Sequence, residues 1–145
     1  MNYLIVAATL SAGLATVTPA FAQNAVLGDP VAGEANFKKC KACHSIVAPD
    51  GTAIQKGGMV GPNLYGVIGR QIGTFEGFSY SAPTIAAGAD GTVWDAAMIA
   101  DYVVDPSIWL QEKTGDATVK SKMSFKLKEG GADIAAYLAS LNPAP

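Results

Sequence analysis

Histidine and cysteine are nearly missing from this sequence. Its 145 residues contain one histidine and two cysteines. A structural zinc site takes four ligands, usually cysteine and histidine, so these residues would leave such a site short of soft ligands. Arginine is equally scarce, because nine of the ten basic side chains are lysine and only Arg70 carries a guanidinium. The sequence therefore gives little support to a zinc protein.

An excess of charge of either sign is missing as well. Ten basic and twelve acidic residues give a formal net charge of −2, and all of them follow Ala22. Nucleic-acid-binding domains usually show a basic excess, so this balance argues against nucleic acid as a partner. The chain also lacks internal repeats, coiled-coil heptads and low-complexity tails. Residues 23–145 have the size of a single domain.

The two cysteines and the histidine all fall in one stretch, Cys40-Lys41-Ala42-Cys43-His44. It reads C-x-x-C-H, the pattern that attaches a c-type haem. Residues three apart share a face of a helical turn, so both thiols can add to the two vinyl groups of one porphyrin. His44 then lies under the ring and can offer an imidazole nitrogen to iron. The pattern predicts one covalent haem c, bound through two thioethers.

Three other interpretations of this stretch remain open. A thioredoxin-like redox pair also uses C-x-x-C, but it normally lies in a βαβ setting that this sequence lacks. A zinc site would be short of ligands, as above. The third is a chance match in which the cysteines form a structural disulfide, and the protein would then be a binding module without haem.

An apolar leader precedes the domain. Residues 1–22 carry no charged side chain and end in Pro19-Ala20-Phe21-Ala22. This A-x-A ending predicts a secretory signal peptide that is cleaved after Ala22. No basic residue precedes the apolar run, however, and about twenty apolar residues could just span a bilayer as an uncleaved anchor. Export agrees with haem attachment, which is a periplasmic event in bacteria. We therefore expect a periplasmic protein with its domain over 23–145.

The mature chain predicts four or five helices and no convincing strand. Helix starts are predicted, in chain order, at Asp29-Pro30, Thr92–Asp95, Asp105-Pro106 and Ala132. The first helix should run to about Cys40, and Trp94, Met98 and Tyr102 recur at helical spacing on one face. Closely spaced glycines predict a long irregular span over about 48–91. The fold class is all-α, small and built around the cofactor.

A second iron ligand must be something other than histidine, because the chain has only one. The candidates are a methionine sulfur, a lysine amine or an open site. Met98 lies on a predicted apolar helix face, where core packing is the simpler role. Met59 lies in a glycine-rich loop close in sequence to His44. Met123 lies in a polar, lysine-rich loop where a thioether has no packing role, so we favour Met123.

Four segments in this order resemble a class I cytochrome c. They are Cys40–His44, Gly61-Pro62-Asn63-Leu64-Tyr65-Gly66, Lys122-Met123-Ser124-Phe125-Lys126-Leu127 and Ala136-Tyr137-Leu138. The two longer loops are similar to those of the cytochrome c2 proteins of purple photosynthetic and related α-proteobacteria. The resemblance covers nearly all of residues 28–141. Its order and spacing are far more specific than C-x-x-C-H alone.

The resemblance implies a role for each matching residue. His44 and Met123 would be the axial ligands, and Cys40 and Cys43 would form the thioethers. The carbonyl of Pro62 would accept the other ring N–H of His44, which fixes the imidazole. The remaining matches are Tyr80, Trp94 and Arg70 at the haem propionates, Tyr102 beside the methionine sulfur, and Gly33, Phe37 and Tyr137 between the first and last helices. Simple core burial of the aromatics, and a solvated role for Arg70, remain the alternatives.

The function that the resemblance implies is a soluble, periplasmic one-electron carrier and no enzyme. It would take electrons from a quinol-oxidising cytochrome bc complex and pass them to a photosynthetic reaction centre or a terminal oxidase, acting as a monomer. The alternative is a haem-based ligand sensor or weak peroxidase whose sixth ligand is labile. The two functions differ in whether Met123 is a stable ligand of the iron.

Lysines flank both segments that would border the haem edge. They are Lys38, Lys39 and Lys41 beside the attachment motif, and Lys120, Lys122, Lys126 and Lys128 around Met123. Several acidic residues lie elsewhere in the sequence, at Asp90, Asp95, Asp101 and Asp105. Such a charge dipole would steer the haem edge onto acidic partners, although an ordinary solvated lysine surface is the alternative. One departure is Met59-Val60, where the family often has a polar pair such as Lys-Thr.

Overall fold

Five α-helices make up most of the regular structure in residues 28–142, the part of the chain that a computed structural model describes. The elements are α1 (Pro30–Asn36), a 3₁₀ turn (Phe37–Lys39), β1 (Ile46–Val47), β2 (Ala53–Gln55), α2 (Ala82–Ala87), α3 (Ala96–Val104), α4 (Pro106–Thr114) and α5 (Gly131–Ser140). The predicted all-α class is confirmed. The predicted signal peptide and its cleavage after Ala22 lie outside the described residues. Over 28–142, no helix combines the length and apolarity needed to cross a membrane.

Helices α1 and α5 pack closely because α1 has a glycine at the contact. A Cβ atom on Gly33 would lie 2.0 Å from the carbonyl oxygen of Asp133 and 2.7 Å from the Cβ of Tyr137. The fully buried ring of Phe37 meets the Tyr137 ring edge to face, with centroids 5.9 Å apart. The Asp29 N–H also donates to the Asp133 carboxylate at 2.9 Å. The predicted contact of Gly33, Phe37 and Tyr137 is confirmed.

Three helices begin at aspartates whose carboxylates accept hydrogen bonds from first-turn N–H groups. Asp29, Asp95 and Asp105 cap α1, α3 and α4 in this way. Such a cap satisfies main-chain donors that have no partner inside the helix. Gly115, in the left-handed conformation with φ 71°, ends α4. Since Asp95 is the cap, Trp94 precedes α3, and its predicted place on the helical face is wrong.

The span over 48–91 is more regular than predicted. Strand β2 lies in the span and pairs antiparallel with β1, which comes just before it, and α2 lies near the end of the span. Both strands are too short to show an alternating pattern, and the six residues of α2 do not complete two turns of apolar periodicity. The first helix also tightens into the 3₁₀ turn before it reaches Cys40. These elements bring the attachment motif against the loop that follows β2.

Candidate haem site

The attachment motif forms one tight turn directly after the 3₁₀ turn. The N–H groups of Cys43 and His44 both donate to the carbonyl of Cys40, at 3.1 and 2.9 Å. Both cysteines are half-buried and are not joined in a disulfide. Burial raises the pKa of the Cys40 thiol, although nearby Lys39 opposes the shift. Thioredoxin-like cysteines instead have a lowered pKa, so the setting of Cys40 differs from that of a thiol–disulfide exchange site.

The imidazole of His44 is fixed by the main chain of the following loop. Its Nδ1 lies 2.8 Å from the carbonyl oxygen of Pro62, so Nδ1–H donates and Nε2 is left with its lone pair. Burial lowers the pKa of His44, and the Pro62 carbonyl opposes this only partly. A Cβ on Gly61 would lie 2.3 Å from the ring carbon Cε1. Glycine therefore lets this loop lie against the ring and hold a neutral imidazole.

Asn63 and Arg70 brace the loop that carries Pro62. The side chain of Asn63 bonds both main-chain groups of Val47, accepting at 3.0 Å and donating at 2.7 Å. Arg70 donates to the carbonyl of Asn63 at 2.9 Å and to that of Tyr65. Its guanidinium also stacks over the ring of Phe75, 4.6 Å from the centroid. Arg70 thus has a structural role in the loop, and its predicted propionate contact would use its remaining donors.

The other predicted propionate partners lie near Arg70. The main-chain N–H of Trp94 donates to the carbonyl of Arg70 at 2.9 Å, and the Trp94 side chain is buried. Burial raises the pKa of the Tyr80 phenol, while the nearby guanidinium of Arg70 opposes the shift. Trp94 also packs against Tyr102 and Trp109, each with ring centroids 5.1 Å away. The structure therefore brings Arg70, Tyr80 and Trp94 into one neighbourhood.

Met123 is half-buried in a loop over 119–127, hereafter the Met loop. Its N–H donates to the Oγ of Ser121 at 3.0 Å, and that hydroxyl lies 3.2 Å from the hydroxyl of Tyr102. The N–H of Ser121 in turn donates to the Oγ of Ser107 at 3.1 Å. Tyr102 is thus linked to the Met123 backbone, in agreement with its predicted place beside the methionine. Sequence reasoning missed Ser107 and Ser121.

The other two methionines of the described part have different settings. Met98 is half-buried and packs against the hydrophobic core, as its helical position predicts. Met59 is 88% exposed in the loop beside the attachment turn. The N–H of Met98 donates to the Asp95 cap at 2.7 Å, so Met98 is held in the first turn of α3 and not in a loop. Of the three, Met123 best fits the role of a fixed ligand.

The lysines of the docking prediction are exposed, but they are not equivalent. Lys126 forms a salt bridge with Asp105, whose carboxylate also caps α4. Lys122 donates to the carbonyl of Ser79 at 3.2 Å. The sequence placed Asp105 apart from the Met-loop lysines, and its pairing with Lys126 corrects that picture. Lys38, Lys39 and Lys41 enter no salt bridge within 28–142.

The residues present fit a haem c. Two cysteines that are not joined in a disulfide and an imidazole with an available Nε2 share one turn. The lack of a side chain at Gly61 leaves room for the imidazole ring. A zinc site has no support, because no group of three or more potential His, Cys, Asp or Glu ligands occurs among the described residues.

The similar proteins of known sequence are cytochromes c2 and c-550. No family model matches the chain. It is 51% identical to cytochrome c2 of Rhodobacter capsulatus over 141 residues, which cover 97% of this chain and 98% of that protein. It is also 51% identical to cytochrome c-550 of Paracoccus versutus over 138 residues, or 94% of this chain and 87% of the other.

The fold comparison agrees. The X-ray structure of ferric cytochrome c-550 from Paracoccus versutus matches with a TM-score of 0.78 and 51% identity, covering 80% of this chain and 99% of that one. The structure of cytochrome c2 from Rhodobacter capsulatus matches with a TM-score of 0.77 and 55% identity, covering 78% of this chain and 97% of that one.

Proposed function

The chain belongs to the cytochrome c2 family of class I c-type cytochromes, and we propose that it shuttles electrons in the periplasm. Like its relatives it is an electron carrier with one covalent haem c, and not an enzyme. The proposed donor is a quinol-oxidising cytochrome bc complex. The proposed acceptor is a photosynthetic reaction centre or a terminal oxidase.

We propose that His44 and Met123 are the axial ligands and that Cys40 and Cys43 hold the haem. The observation that carries the His44 assignment is the hydrogen bond from its Nδ1 to Pro62, because it leaves Nε2 available to bind iron. Met123 is supported by its fixed position in the Met loop. The bound haem supplies one-electron chemistry at its iron, and a His/Met ligand pair raises its reduction potential. With His44 and Met123 both bound to the iron, no position on it would be left for a substrate. This separates a carrier from a ligand sensor or peroxidase.

Electron transfer to isolated partners tests the function. The reduced protein should reduce an isolated reaction centre or oxidase, and a purified cytochrome bc complex should reduce the oxidised protein. We expect fast second-order kinetics that slow as salt is added, because lysines near the haem edge attract acidic partners over about 8 Å at physiological ionic strength. If the protein reacted with none of these partners, the proposed function would be wrong.

Lys38→Glu with Lys41→Glu should slow partner reduction about tenfold at low salt, and the difference should shrink at high salt. Both side chains are exposed and unpaired within the described residues. Lys126→Glu should have a different effect, because it also breaks the salt bridge with Asp105. Lys113→Glu at the end of α4 is the control, and it should leave the rate near that of the unaltered protein. If Lys113→Glu slowed the reaction as much as Lys38→Glu with Lys41→Glu, the docking argument would be wrong.

Ser107→Ala should loosen the Met loop without changing the haem attachment. It removes the acceptor of the Ser121 N–H, a hydrogen bond worth about 1 kcal/mol. External imidazole, which must displace Met123, should therefore bind the ferric protein about fivefold more tightly. Ser124→Ala, in the same loop but exposed, is the matched control. An unchanged imidazole affinity in Ser107→Ala would show that this contact does not hold the ligand loop.

A further inference from the structure

Two adjacent apolar side chains are strongly exposed beside the attachment turn. Met59 is 88% exposed and Val60 is 77% exposed. Single exposed apolar residues are common on protein surfaces, but a contiguous pair covers more area and more often marks a contact site. Val31, at 74% exposed, lies by contrast in the first turn of α1. The exposure of this pair therefore indicates a function at its position beside the attachment turn.

The loop over 57–61 holds this pair rigidly against the attachment turn. The N–H of Gly58 donates to the carbonyl of Lys41 at 2.9 Å, and the N–H of Gly61 donates to that of Cys43 at 2.8 Å. A Cβ on Gly58 would lie 2.4 Å from the carbonyl oxygen of Ala42. Because both ends of the loop are bonded to the motif, little backbone freedom is lost when a partner covers the pair.

The charge around the pair is positive. Lys41 in the attachment turn and Lys56 just before the loop are both exposed. No acidic residue lies between Asp50 and Glu76, nor between Glu34 and Asp50. Neither lysine takes part in a salt bridge among the residues that the structure describes. The surface thus has an apolar centre with a cationic border.

We propose that Met59 and Val60 form the apolar centre of the surface on which the electron-transfer partner docks. The partner would be a protein surface with apolar side chains bordered by carboxylates, complementary to Lys41 and Lys56. This inference rests on the proposed function. Lysines steer the encounter over long range, whereas the apolar pair acts only on contact and prolongs the complex. Docking at this point places the partner beside the attachment turn, to which the loop is hydrogen-bonded.

The test replaces the pair by neutral polar residues. Met59→Gln with Val60→Thr is compared with the unaltered protein and with the control Val31→Thr. The probe is an isolated reaction centre or terminal oxidase, whichever the unaltered protein reduces faster, studied by rapid kinetics over a range of ionic strength. We expect the second-order rate constant to fall roughly three- to tenfold at every ionic strength, because apolar contact is insensitive to screening. The midpoint potential should stay constant in all three proteins.

A second variant separates contact from charge. Met59→Lys with Val60→Thr should recover the rate at low salt but lose it faster as salt is added, since attraction by charge replaces contact. If the neutral variant reacts as fast as the unaltered protein at every ionic strength, the proposed contact is overturned while the carrier function stands. If the unaltered protein reduces no probe, the carrier function fails and the docking proposal with it.

Discussion

Met123→Ala is expected to keep the haem covalently attached while its midpoint potential falls by on the order of 0.1 V, because axial ligands set haem potentials over about 0.8 V. The thioethers to Cys40 and Cys43 do not depend on the Met loop. The substitution removes the methionine sulfur as an iron ligand, and that sulfur is the donor that favours the reduced state. The weak near-infrared band of sulfur-to-iron coordination should vanish from the ferric spectrum, and cyanide or imidazole should bind readily.

The loop itself should persist in this variant. Its contacts use the backbone of Met123 and the side chains of Ser107 and Ser121, none of which the substitution removes. Met98→Leu is the matched control, since it removes another sulfur while nearly conserving volume. The control should keep both the band and the potential. An unchanged potential in Met123→Ala would show that another residue is the ligand.

Gly33→Ala is expected to destabilise the folded protein by about 2–3 kcal/mol, the usual cost of overpacking a closely packed contact. The added methyl would lie 2.0 Å from a carbonyl oxygen of α5 and 2.7 Å from the Cβ of Tyr137. Helices α1 and α5 would have to separate, which also disturbs the Phe37–Tyr137 contact. The measurement is guanidinium unfolding of the ferric protein, followed by circular dichroism.

Ala35→Leu provides the control for Gly33→Ala. Ala35 is an exposed residue of the same helix, so a larger side chain there meets solvent. Surface changes of this kind usually stay within about 0.5 kcal/mol. A Gly33→Ala protein as stable as this control would mean that α1 and α5 are less closely packed than the structure indicates.

Local chemistry is what the sequence predicted well. The spacing of Cys40, Cys43 and His44 depends on one helical turn, and the caps at Asp29 and Asp105 depend on side chains next to the helix start. The start of α3 was predicted only as the stretch Thr92–Asp95, and the structure has Asp95 as the cap. Such features need only a few neighbouring residues, so a single sequence reveals them. The Pro62 contact was also expected, but from the resemblance and not from the spacing of the residues.

Contacts between distant segments were predicted only where the resemblance supplied them, as for Gly33 and Tyr137. The hydrogen bond from Ser121 to Ser107 joins residues fourteen apart in sequence, and serines occur in many exposed positions. The salt bridge of Lys126 with Asp105 links residues twenty-one apart. Neither pair has a distinctive pattern, since each depends on how α4 and the Met loop meet in the fold. The short elements β1, β2 and α2 were missed because their periodicity does not extend far enough to be recognised.

The ferric absorption spectrum of the unaltered protein, purified after export, tests the ligand assignment most directly. It should show a thioether-linked haem and the weak near-infrared band of a methionine sulfur bound to iron. A haem c spectrum without that band at neutral pH would contradict the His44/Met123 assignment and favour a protein with an open or labile sixth position.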